Sequence, residues 1–133
     1  MDKVIHFEVP FDDAERATAF YREAFGWQLN SMPQFQYTMV TTTATDEQGR
    51  PTETGGINGG MLQRQGPITS PVITIRVDDL DEALPRIEKL GGKVAIGRQP
   101  VGDMGFSAYV HDTEGNLIGL WQDAPSGQPT TDA

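Results

Sequence analysis

The sequence contains no cysteine. Disulfide bridging and thiolate chemistry are therefore excluded, and the cytoplasm is the default compartment for such a chain. Positive charge is scarce: ten Lys and Arg stand against nineteen Asp and Glu, for a net charge of −9. Binding to nucleic acid or to an anionic membrane needs a clustered positive field, so neither partner is expected. No apolar run is long enough to span a bilayer and no signal-peptide pattern is present, so no membrane segment is expected. What is left is 133 residues, the length of one ordinary domain, able to bury roughly two thirds of its surface.

The stretch from Val4 to Gly26 organises the rest. Val4 to Val9 alternates, with Ile5, Phe7 and Val9 on one face and Val4, His6 and Glu8 on the other, which is the period of a strand. Pro10 and the pair Asp12–Asp13 stop that strand and supply N-cap oxygens. Ala14, Ala17, Phe20, Tyr21, Ala24 and Phe25 then recur at helical spacing, and Gly26 closes the helix. Phe20 is expected in the core.

The same unit returns 66 residues later, without a gap. Asp12–Asp13 aligns with Asp78–Asp79, Phe7 with Ile73, Val9 with Ile75, Gly26 with Gly92, and His6 with Val72. Further on, Asp46-Glu47-Gln48-Gly49 aligns with Asp112-Thr113-Glu114-Gly115, a turn signature at the same offset. Two punctuation sites and a strand-helix unit in one register indicate internal duplication.

After the first helix, Trp27 to Met32 and Phe35 to Ala44 read as strands, separated by Pro33. A polar loop leads to Gly55-Gly56-Ile57-Asn58-Gly59-Gly60-Met61-Leu62, the last strand of the first half. Glycine at that density marks bulges, strong bending, or a group that approaches the backbone closely. In the second half the helix face is Leu80, Ala83, Leu84, Ile87 and Leu90, with Pro85 inside it, where a missing backbone donor costs about 3 kcal/mol unless the helix bends. Lys93 to Ile96, Phe106 to His111 and Asn116 to Gln122 are the remaining strands. The reading is thus α+β, with one βαβββ module in residues 1–65, a second in 71–123, and a flexible polar tail at 124–133. Two four-stranded sheets with helices on one face leave their other faces to enclose something, an open curved barrel with a cleft, and together the modules make one domain.

This βαβββ repeat, with His6 near its start, Phe20-Tyr21-Arg22-Glu23-Ala24-Phe25-Gly26-Trp27 around the end of the first helix, and Asp112-Thr113-Glu114-Gly115-Asn116 before the last strand, resembles the vicinal oxygen chelate superfamily. That superfamily holds glyoxalase I, bleomycin- and fosfomycin-resistance proteins and extradiol dioxygenases. The ending Gly115 to Gln122 is most similar to the group related to lactoylglutathione lyase. The resemblance implies a ligand set from the first and last strand of each half, commonly His or Gln and then Glu. His6 matches the first of these positions. Val72 stands at its equivalent, Gly119 at the acidic site of the last strand, and Gly60 or Met61 at the site of the fourth strand.

One imidazole does not hold a catalytic divalent ion, and Glu8 brings the count to two. No metal ligand set, and hence no cofactor, is expected; a rearranged divalent site would have to use His6, Glu8 and a loop carboxylate such as Glu53 or Asp103. His6 beside Glu8 also suits a general base. Resemblance to the fosfomycin-resistance proteins points the Tyr109 phenol toward a ligand. Trp121 shares the parity of Gly119, and with Thr74 and Arg76 it completes the candidate ligand-binding residues. The expected function is binding of a small organic molecule in the barrel cavity, with the usual metal site mostly lost. The alternatives are a lyase or isomerase using His6 as base with Glu8 behind it, and a scaffold whose cavity is vestigial. A homodimer is expected in each case, since edge strands and an open cleft call for cover.

Overall fold

The computed structural model describes residues 1–125; most of the expected tail at 124–133 lies outside them. The chain divides into two compact units, one of Ile5–Ile73 and one of Met1–Val4 with the chain from Thr74 onward.

The first unit opens on β1 (Val4–Phe11), followed by α1 (Ala14–Phe25), β2 (Gln28–Met32), a 3-10 turn (Pro33–Phe35), β3 (Tyr37–Thr41) and β4 (Gly59–Gln63). Its strands lie in the order β2-β3-β4-β1, with β1 parallel to β4 and the other pairs antiparallel. The second unit repeats this with β5 (Val72–Arg76), α2 (Leu80–Lys89), β6 (Lys93–Val101), β7 (Gly105–His111) and β8 (Leu117–Asp123). The order is β6-β7-β8-β5, with β5 parallel to β8. Position for position the two units have the same strand topology.

The aligned punctuation residues do the same work in both units. Asp13 accepts from the Arg16 N–H at 3.0 Å and Asp79 from the Asp81 N–H at 2.9 Å, each satisfying a donor that the helix start leaves without a partner. Asp46 Oδ1 accepts from the amides of Gln48 and Arg50, and Asp112 Oδ1 from those of Glu114 and Asn116. Gly49 and Gly115 close these turns at φ 82° and 84°, where a Cβ would be strained.

The second unit carries the better-formed core. Val77, Leu80, Ala83, Ala108, Val110 and Leu120 are buried together, with Leu84, Ile87, Val94, Phe106 and Ile118 packed around them. α2 continues through Pro85 as one helix and seats Leu80 and Ala83 in that cluster, while Leu90 at its end is exposed. In the first unit the expectation of a buried α1 face is corrected: no residue of α1 is buried, and Phe20 and Phe25 are 58% and 63% exposed. The half-buried residues of α1 are Ala17, Thr18, Ala19 and Tyr21. Phe20 lies about 100° around the axis from Tyr21 and so points along the surface. Its ring instead meets Tyr21 edge-on at 5.1 Å, while Tyr21 stacks on Trp27 at 4.7 Å.

Candidate functional site

The alternation of β1 decides where its side chains go. Phe7 faces the helix side, with its ring 5.5 Å from that of Trp27. His6 and Glu8, of the opposite parity, face the other side of the sheet. Glu8 is in register with Gly60 of β4, and Gly60 with Met39 of β3. Tyr37, two residues before Met39, shares that face and sends its ring over β4. Its hydroxyl donates to Glu8 Oε2 at 2.7 Å and lies 2.8 Å from His6 Nε2. Gly60 makes this possible, because a Cβ built there would land on the Tyr37 hydroxyl. The phenol thus occupies the space a fourth-strand side chain would otherwise take.

Tyr37 was not among the residues singled out from the sequence. The signal for it was the run of glycines in β4, which marks a close approach to the backbone without naming what approaches.

Glu8 is a buried carboxylate, 7% exposed, and the phenol supplies the charge-assisted hydrogen bond such a group needs. Burial holds the His6 imidazole below its ordinary pKa, and the Glu8 carboxylate offsets this only in part. His6 is therefore neutral at pH 7, with one ring nitrogen able to accept a proton or a hydrogen bond. Tyr37 also forms part of the wall of an open cavity of about 430 Å³, lined further by Phe11, Ser31, Gln36, Gln63 and Gln65. That volume is within the range of small-molecule sites, and its lining is uncharged.

The second unit repeats the register: Thr74 is opposite Gly119, and Gly119 opposite Tyr109. Thr74, Arg76, Tyr109 and Trp121 accordingly share one face of that sheet, with Thr74 buried and Arg76 in register with Trp121. The Trp121 indole N–H donates to Asp123 at 2.8 Å, and the Arg76 guanidinium lies 3.5 Å from the same carboxylate. This tethers Trp121 and Arg76 to one acid at the end of β8.

A divalent ion needs three or four donors on one point. His6 and Glu8 supply two, with a phenol held between them, and glycines stand at residues 60 and 119. Among the described residues no three His, Asp or Glu side chains converge as a metal site requires. Among the described residues the rearranged set with Glu53 or Asp103 is not assembled.

Residues 3–43 match the family model described as bleomycin resistance protein-like N-terminal. The chain is 31% identical over 114 residues to a glyoxylase-like domain-containing protein of Didymella fabae, covering 82% of this chain and 84% of that one. It is 28% identical over 110 residues to CFP32 of Mycobacterium tuberculosis, a glyoxylase by name, covering 83% of this chain. The chain spans only 41% of the length of CFP32. Among solved structures it is similar to methylmalonyl-CoA epimerase from Mycobacterium tuberculosis, with a TM-score of 0.59 and 18% identity over 92% of this chain and 88% of that one.

Proposed function

Because the chain belongs to the glyoxalase/bleomycin resistance/dioxygenase superfamily, we propose that it binds a small organic molecule on the His6 and Glu8 face without a metal ion. The observation that carries this is the Tyr37 hydroxyl, held between His6 and Glu8 in the space above Gly60. A phenol bonded to both candidate donors replaces an ion with a neutral, directional group, and leaves a site that is polar but not chelating. On this reading Thr74, Arg76, Tyr109 and Trp121 are the ligand contacts of the second module. The protein works in the cytoplasm as a homodimer, which the exposed rings of Phe20 and Phe25 favour. No helix of the described residues is long and apolar enough to cross a membrane.

The test is elemental analysis of protein purified without chelator, with thermal shifts in Ni, Zn, Mn and Fe(II). The expected result is metal far below one equivalent and no shift with any ion, followed by a shift with a small organic molecule from a ligand screen. Near-stoichiometric metal that disappears in His6→Ala would overturn the proposal.

The neutral, half-buried His6 favours one second reading, a lyase- or isomerase-type enzyme in which His6 takes a proton from carbon or oxygen and Glu8 stabilises the imidazolium through Tyr37. Deuterium incorporation from D2O into the ligand, lost in His6→Gln with binding retained, would select it over simple binding.

A further inference from the structure

The hydrogen-bond chain fixes more than the position of His6. A phenol has one proton, and Tyr37 donates it to Glu8 Oε2. Toward His6 its oxygen is then an acceptor only. A contact of 2.8 Å between that oxygen and Nε2 requires the hydrogen of the neutral ring to be on Nε2, since two lone pairs facing each other at this distance repel. The basic lone pair is consequently on Nδ1.

We propose that Tyr37 is a positioning residue: it holds His6 as the Nε2–H tautomer, so that Nδ1 is the atom that receives the bound molecule. This rests on the reading of the His6 face as the ligand site, and it defines the class of ligand, one that presents a hydrogen-bond donor such as a hydroxyl or an N–H, or an acidic proton. A molecule offering only acceptors gains nothing from Nδ1. The arrangement also supports charge, because a proton gained at Nδ1 leaves Nε2–H, the phenol and the buried Glu8 carboxylate as an unbroken chain of donors and acceptors. Gly60 is part of the device, since any side chain there would displace the phenol.

The test is imidazole-selective nitrogen-15 NMR on the full chain, treated with chelator, at a pH where His6 is neutral. The chain has two histidines, so His111→Gln assigns the spectrum. The expected wild-type spectrum has His6 Nε2 protonated and Nδ1 bare, with the Nε2 proton slow to exchange with water. In Tyr37→Phe, loss of the acceptor should speed that exchange by about tenfold or more. A wild-type His6 protonated on Nδ1, or an Nε2 proton whose exchange is the same in Tyr37→Phe, would overturn the proposal. If Tyr37→Phe fails to fold, the wild-type tautomer alone decides. The outcome is separable from the metal test above, because the tautomer is read on metal-free protein whatever elemental analysis finds.

Discussion

The smallest residue of the site sets its most restrictive condition. Gly60 has no side chain, and the Tyr37 ring passes through the place where one would stand. A methyl group there must move a phenol that is hydrogen-bonded to His6 and to a buried carboxylate, so Gly60→Ala combines overpacking with loss of a partner for Glu8. Each is worth about 1 to 3 kcal/mol, and a destabilisation of about 2 to 6 kcal/mol by urea titration is expected. In a Tyr37→Ala background the same substitution should cost far less, with a coupling of about 1 to 3 kcal/mol. Equal costs in both backgrounds would place the Tyr37 ring elsewhere. His6 gives a second check. Its pKa is lowered in the folded protein from an ordinary value of 6.5, so as pH falls the unfolded chain takes up the proton first. The stabilising contribution of neutral His6 is complete above pH 6.5 and is lost as pH falls from there toward the folded midpoint. Stability measured against pH should therefore decline more steeply in this window for the wild type than for His6→Gln.

At the scale of elements, the two helices look alike in sequence and are used differently. Both begin at an aspartate cap 66 residues apart, and both have an apolar stripe, yet α2 buries Leu80 completely and α1 buries nothing. Leu80→Ala should cost about 2 to 5 kcal/mol, whereas Phe20→Ala, which removes only exposed ring contacts, should cost less than about 1.5 kcal/mol. A large loss in Phe20→Ala would restore the buried face expected from periodicity. The contrast explains what was legible. Caps, turns and strand parity are local, so Asp13, Asp46, Asp79 and Asp112 could be read correctly from residue type and spacing, as could the facing of His6 and Glu8. Which stripe finds a partner depends on what the sheet offers it, and periodicity contains no information about that. Tyr37 was missed for a related reason. It reaches His6 and Glu8 across 31 and 29 positions of sequence, by way of a glycine whose role is to be empty, and no spacing rule connects a phenol to a vacancy on the next strand.

On the scale of the whole molecule, the His6, Glu8 and Tyr37 group and the better-formed core belong to different units. The second unit gathers Val77, Leu80, Ala83, Ala108, Val110 and Leu120 into one cluster closed by its helix. In the first, Val40, Met61, Leu62, Ile68 and Val72 are buried, the helix adds no buried side chain, and Tyr37 links His6 to Glu8 by hydrogen bonds. Local opening free energies follow buried apolar contact, so protection should divide along the same line. In native-state hydrogen exchange on dilute protein, amides of α2, β7 and β8 are expected to open only with global unfolding, while those of α1 open at distinctly lower free energy. The exposed Phe20 and Phe25 make the α1 value sensitive to association: if a second copy covers those rings, α1 protection rises with protein concentration while that of α2 stays constant. Protection of α1 equal to that of α2 at every concentration would mean that the two modules are stabilised alike. The unequal pattern would place the His6, Glu8 and Tyr37 group in the more yielding module, where a ligand bound at His6 would stabilise the unit that holds it.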